Sequence, residues 1–408
     1  MLDLTPPQVT LLDPRDLVVA EGRGLRDQGP VVRVRLTGDV EVWATGDHAT
    51  AREILTHPDF RKNPAHWQAY ADGDVPDSWP LLELITLSGM LNADGDDHTR
   101  LRKLVGKAFT PRRIEALRPR VEEIVGGLIG DLAAVPGPVD LREAFALPLP
   151  MAIICSLFGL DLDKREQLAD NFAALHDESR ADEAPAAKAG LVSVIGELIA
   201  EKTAAPGDDL TSALISAHGD GQGSLSETEL TQTLLLFLFA GHETTANLIG
   251  NAVVNLAGHP GQLALARESD AWPAVVEETL RRDSPVRTVM FYYAAKDVTL
   301  SGTRIKTGEA VVIHVAATGR DPRQFGPTAE EFDILRQAAA SHLGFSHGIH
   351  YCIGAPLAKM MGTTALRALH GRFDVELVGE PVPVASYSSN AARTLPVLLR
   401  NRAPAGTR

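Results

Sequence analysis

The run from Ser226 to Pro260 constrains the fold more than any other stretch, because it carries a helix start, a helix stop and no proline between them. Ser226-Glu227-Thr228-Glu229 is a capping box, and Gly258 followed by Pro260 is a stop. About 30 residues in one helix reach roughly 45 Å, the width of a whole domain. The rest of the chain must pack around such a rod. Its apolar first half, LLLFLFA, runs into Gly241-His242-Glu243-Thr244-Thr245 before apolar character resumes. Glycine and threonine are poor helix formers, and a threonine hydroxyl can bond back to the carbonyl four residues earlier and open the helix locally. The knot is either a polar face emerging to solvent or a site for chemistry.

The periodicity on either side of this helix sets the architecture. VVRVRLTGDVEVWA alternates apolar and polar residues about Thr37-Gly38-Asp39, which predicts a hairpin. From about Asp47 the spacing changes to three and four, as in ATAREILTH, RIEALRPRVEEIVGGLIGDLAA and AKAGLVSVIGELIAEKTA, with Pro/Gly/Asp-rich breaks between. After Pro285 short β-like runs return, then a Pro/Gly-rich stretch, one more helix after Cys352 and a final strand-like segment through TLPVLLR. The economical solution is a single domain over residues 1–408, mainly α with a minor β-rich subdomain. Its strand-rich parts, at about 31–45 and 286–316 plus C-terminal strands, pair beside a helix-rich part at about 47–282. Met1 to Pro7 and Ala403 to Arg408 are expected to fray.

Composition excludes several classes. With 44% hydrophobic and 23% charged residues the chain is an ordinary folded protein, and a net charge of −14 argues against coating nucleic acid or an anionic membrane. The longest uncharged apolar stretch, Phe145 to Leu160, contains Pro148 and Pro150 and falls short of a membrane span. Only two cysteines occur, and MLDLTPPQVTLLDPRD lacks the pattern of an export signal, so a reducing, cytoplasmic location is expected. One local patch runs against the net charge: His98 to Arg113 holds Arg100, Arg102, Lys103, Lys107, Arg112 and Arg113 without an acid.

Two further clusters offer chemistry. Glu278 and Arg281 stand three apart on one helix face, the spacing of an ordinary surface ion pair. The stretch HLGFSHGIHYCIGAPLAK, residues 342–359, is a loop punctuated by Gly344, Gly348 and Gly354 that delivers Cys352 to a helix start. Amides at such a junction can hydrogen-bond a thiolate, so Cys352 is a metal ligand, a nucleophile or an inert buried thiol. Cys155, inside an apolar run, fits the inert reading. His342, His347 and His350 near Cys352 would also allow zinc, but the sharp ligand spacing of zinc sites is absent.

These clusters, in this order, resemble the cytochrome P450 family of haem-thiolate monooxygenases, and the resemblance covers essentially the whole chain. FSHGIHYCIG matches the pattern F-x-x-G-x-H-x-C-x-G, AGHETT matches A-G-x-D/E-T-T, and Glu278 with Arg281 matches E-x-x-R. The resemblance implies the fold of a soluble bacterial member and haem b with Cys352 as axial thiolate ligand of the iron. Phe345 would pack on the cysteine side of the macrocycle, with Gly348 and Gly354 letting the loop approach. His98, Arg102, Arg287 and His350 would hold the propionates, and Ala240 and Gly241 would lie over the distal face. Thr244 would hydrogen-bond dioxygen and a water while Glu243 helps relay protons. Glu278 and Arg281 would form a buried structural pair supporting the cysteine-loop side of the fold. Ser346, where a glycine is usual, and Glu331, where an arginine is usual, depart from the pattern, and Glu331 leaves the partners of Glu278 open.

The implied activity is insertion of one oxygen atom from O2 into a C–H bond or an alkene of a lipophilic small molecule, such as a macrolide, steroid or terpenoid. Electrons would come from NAD(P)H through a ferredoxin and its reductase, since no attached flavin or iron–sulfur segment is recognised. The pocket would draw on His66 to Met90, Phe172 to Leu191, Ala240, Thr244, Val289 to Phe291 and the neighbourhood of Ser389. A haem-thiolate isomerase, dehydratase or peroxide-driven oxygenase would not need both Glu243 and Thr244, and a non-enzymatic haem sensor would be expected to carry a signalling or DNA-binding segment, none of which is recognised.

Overall fold

The computed structural model describes residues 10–13, 15–79, 81–86, 89–176, 182–219 and 223–402. The frayed ends expected from the sequence, and residues 80, 87–88 and 177–181 of the expected pocket segments, lie outside them.

The long helix forms as its signals predict. Ser226 Oγ accepts from the Glu229 amide at 3.2 Å, Glu229 Oε2 accepts from the Ser226 amide at 2.8 Å, and the helix runs Glu227–Gly258. It is the axis of the largest core, against which the helices Pro148–Phe158, Ala184–Ala204, Trp272–Arg282 and Ala355–Arg372 pack. Leu234, Leu238, Ile249, Val253 and Leu256 along it are fully buried, each contributing about 1.5–3 kcal/mol of transfer free energy. Among the described residues, no helix is long and apolar enough to cross a membrane.

The stretch from Arg113 to Ala134, one helical run by periodicity, falls in two helices, Pro111–Ala116 and Arg118–Ala134. Pro119 is the reason: without an amide hydrogen it is tolerated in a first turn and not in a helix interior.

The expected hairpin pairs Val32–Arg35 with Glu41–Thr45, Val34 opposite Val42, across a turn in which Gly38 adopts φ 74°. It joins a six-stranded sheet in the order Thr10–Leu11, Val32–Arg35, Glu41–Thr45, Ala310–Ile313, Val289–Ala294, Phe60–Arg61. The strands near 286–316 thus pair with the N-terminal hairpin as expected. The C-terminal strands do not: Phe373–Leu377 and Pro396–Asn401 form a separate sheet with Pro138–Asp140. Phe373 follows directly on the Ala355–Arg372 helix, so this strand emerges beside the helical core and finds its partners there.

Glu278 and Arg281 are fully buried rather than a surface pair. Arg281 makes two 2.7 Å bonds to the Glu278 carboxylate and donates to the carbonyls of Gly319, Ala329 and Glu331. Arg336 Nε, at 3.3 Å, and the Asp333 amide, at 2.9 Å, complete the Glu278 shell. The partner left open by Glu331 is therefore Arg336, and Glu331 contributes its carbonyl. The network clamps the chain from Gly319 to Arg336 onto the Trp272–Arg282 helix, and the cysteine loop follows directly.

Candidate functional site

Geometry closes the cysteine loop tightly. The Cys352 amide donates to the Phe345 carbonyl at 2.9 Å, and the Ser346 amide to the Leu343 carbonyl at 2.8 Å. Gly348 has φ 72°, and a Cβ there would stand 2.6 Å from the Leu55 carbonyl oxygen. Ser346 adopts φ 63°, a left-handed conformation that costs a side-chain-bearing residue about 1–2 kcal/mol. Its buried hydroxyl has no hydrogen-bond partner among the described residues.

Burial pushes the Cys352 thiol up, while the amides of Gly354 and Ala355 and the Arg102 guanidinium favour the thiolate. Phe345 is buried in the core that Cys352 borders, with Lys359 Nζ 5.5 Å from its ring centre. Cys155 is fully buried and pushed up to about 11 by burial, the behaviour of an inert thiol. His342 bonds Glu277 at 3.2 Å, and among the described residues no three metal-ligating side chains converge as zinc would require.

Beside the loop lies a basic cluster. His98, on the helix Gly95–Ala108, meets His350 with ring centres 4.2 Å apart, and Arg102 from the same helix donates to the Tyr351 carbonyl. Arg287 does not join them. Its guanidinium is held by Glu21 at 2.7 Å and by the carbonyls of Asp13 and Ser386, which corrects the expectation that it belongs to this group. The additional cation is Lys62, which sequence reasoning missed: His350 is held down to about 3 by burial and by the charges of His98, Lys62 and Arg102. Burial likewise pushes Lys62 down to about 8 against the pull of Asp94.

Whether haem fits is tested by this cluster. His98 Nε2 is buried with no hydrogen-bond partner among the described residues. The nearby Asp94 carboxylate accepts from the Lys62 and Asn63 amides at 2.8 and 2.9 Å. Four basic side chains beside a thiolate-favouring loop suit a dianionic macrocycle with iron at its centre. The residues present fit the group.

On the long helix, Thr244 Oγ1 donates to the Ala240 carbonyl at 2.6 Å, the back-bond that its position predicts. Ala240 is exposed, whereas the bare side of Gly241 faces a neighbouring helix, where a Cβ would approach Ile154 Cδ1 to 3.2 Å. His242 turns away, its Nε2 3.0 Å from the Leu147 carbonyl and its ring edge-on to Phe172. Glu243 accepts from Ser389 Oγ at 3.0 Å, and Arg142, 3.9 Å away, also holds Asn247. Ser389 lay in an expected segment, but nothing in the sequence marks Arg142. Of the expected pocket walls, Trp67, Trp79 and Phe291 pack on one another, with centroids 5.4–5.8 Å apart, as part of a core.

Comparison with known proteins bears on all of these parts together. The cytochrome P450 family model matches residues 163–271 and 272–397. The 2-hydroxy-5-methyl-1-naphthoate 7-hydroxylase of Streptomyces carzinostaticus is 39% identical over 93% of this chain and 95% of its own. The 6-deoxyerythronolide B hydroxylase of Saccharopolyspora erythraea is 38% identical, covering 87% of this chain and 88% of its own. Among solved structures, CYP154C4 from a Streptomyces species superposes with a TM-score of 0.90 at 38% identity, covering 97% of this chain and 99% of that one. Family model, relatives and structure all span the long helix, the Glu278 network and the cysteine loop, and the chain belongs to the cytochrome P450 family of haem-thiolate monooxygenases.

Proposed function

We propose that this monooxygenase hydroxylates or epoxidises a lipophilic small molecule in the cytoplasm, using electrons passed from NAD(P)H by a ferredoxin reductase and a ferredoxin. The Glu243–Thr244 pair on the long helix is the observation that carries the reading. Bound haem supplies the dioxygen and electron-transfer chemistry, and a thiolate ligand favours cleavage of the O–O bond.

The residues of the chain do the rest. Cys352 would ligate the iron, with the Gly354 and Ala355 amides favouring its thiolate against the effect of burial. Phe345 keeps that side dry. His98, Arg102 and His350 bind propionate carboxylates through charge-assisted hydrogen bonds. Ala240 leaves room at the distal face, and the Thr244 hydroxyl, one bond rotation from its Ala240 partner, offers a donor to oxygen and to a water. Glu243 accepts protons from outside and passes them on, held in place by Ser389 and Arg142. The relatives named for oxidising a naphthoate and 6-deoxyerythronolide B support a substrate that is largely apolar.

A screen of spectral shifts with macrolides, steroids, terpenoids and naphthoates supplies a substrate for the decisive experiment. Thr244→Ala is expected to keep consuming NAD(P)H while product per NAD(P)H falls about 10-fold or more and peroxide accumulates, the scale of a lost proton-transfer step. An unchanged ratio overturns the role of Thr244.

A further inference from the structure

We infer that Lys62 is a carboxylate-binding residue of the cofactor site: its buried ammonium, beside the Tyr292 ring, receives a haem propionate in the place that the family resemblance gave to Arg287.

The inference rests on the haem reading above and names a residue of the same site. Lys62 is only 6% exposed, an unusual position for a lysine. Its Nζ donates to the Phe291 carbonyl at 2.9 Å and stands 4.7 Å from the centre of the Tyr292 ring. Both contacts come from the strand Val289–Ala294, and the Phe291 carbonyl is turned by a left-handed φ of 54°.

Asp94 fixes the other side. Its oxygens bind the Lys62 and Asn63 amides, tying the lysine backbone to the residue that precedes the helix Gly95–Ala108. That helix carries His98, whose ring centre stands 4.2 Å from that of His350, and Arg102, which donates to the Tyr351 carbonyl, so Asp94 ties Lys62 to the helix that bears the other basic groups. Arg287 is meanwhile held by Glu21 in the first helix, Val18–Gln28. An ammonium has three donors, and a buried one is stable where an anion meets it. A carboxylate entering beside His98 and His350 would accept one of those donors.

The test separates binding of a carboxylate from mere support of the Phe291 carbonyl. Wild-type, Lys62→Gln and Lys62→Arg apoproteins are reconstituted with haem and with haem dimethyl ester, whose propionates carry no charge. Loss of each is timed by transfer to excess apomyoglobin. Glutamine can still donate to the Phe291 carbonyl but has no charge. Lys62→Gln is expected to lose haem roughly 10- to 100-fold faster than wild type, the worth of one hydrogen bond to a charged group, and to lose the ester at nearly the wild-type rate. Lys62→Arg is expected to retain most of the wild-type discrimination.

Equal acceleration for haem and ester, or no acceleration for either, overturns the assignment. If Lys62→Gln takes up no haem, loss of discrimination in Lys62→Arg overturns it instead. The ferrous carbon monoxide spectrum of the same samples separates the two levels. A thiolate-type band with unchanged discrimination refutes Lys62 alone, whereas its absence from the wild type refutes the haem reading.

Discussion

At Gly348 two constraints coincide that a side chain cannot meet together, a φ of 72° and a carbonyl oxygen 2.6 Å from where a Cβ would sit. The carbonyl belongs to Leu55 in the helix His48–Thr56, so the cysteine loop is docked on that helix through the absence of one methyl group. Gly348→Ala would incur the left-handed strain of about 1–2 kcal/mol and also push the loop off the helix. The expected outcome is a folded protein with a lower melting temperature and well under the wild-type ratio of haem to protein, both read from purified material. Wild-type values for both would mean that the loop is not held at this contact. Ser346, two residues earlier, bears similar strain at φ 63°.

Elements with a local cause were legible before the structure. The capping box and the Gly-Pro stop bound the long helix, and Gly38 marks the hairpin, because each acts through neighbours a few residues away. Pro119 was equally local evidence for dividing the run from Arg113 to Ala134, and the apolar periodicity masked it. The Glu278–Arg281 spacing was visible, but its burial came only through the family resemblance, since a surface pair has the same spacing. Burial changes its weight: removing one partner of such a pair costs about 3–5 kcal/mol, against less than 1 for an exposed pair. What stayed hidden depends on distant partners. Glu21 claims Arg287 across 266 residues, Lys62 meets a strand more than 200 residues away, and Arg142 meets Asn247. Nothing in the residues flanking Arg287 signals that Glu21 holds it.

Across the whole molecule the charge is −14, yet the helix Gly95–Ala108 abuts the cysteine loop and places positive charge where electrons would enter. Part of that charge is already answered: Arg100 pairs with Glu229, and Arg113 lies 3.8 Å from Asp208. Lys103 and Arg112 remain exposed without an ion pair among the described residues. Exposed charges act over about 8 Å at physiological ionic strength and chiefly set encounter rates. Lys103→Glu and Arg112→Glu are therefore expected to slow reduction by an acidic ferredoxin several-fold at low salt and to flatten its salt dependence, with substrate affinity unchanged. Stopped-flow rates over a salt series decide this, and equal rates and slopes in all three proteins would place the donor elsewhere. The account as a whole depends on Cys352 holding the haem iron, and the ferrous carbon monoxide spectrum of the purified protein reads that bond most directly. The strongly red-shifted Soret band of thiolate ligation is expected in wild type and in Cys155→Ser and is expected to vanish in Cys352→Ala, whereas a histidine-type band in wild type, or one indifferent to Cys352, would contradict it.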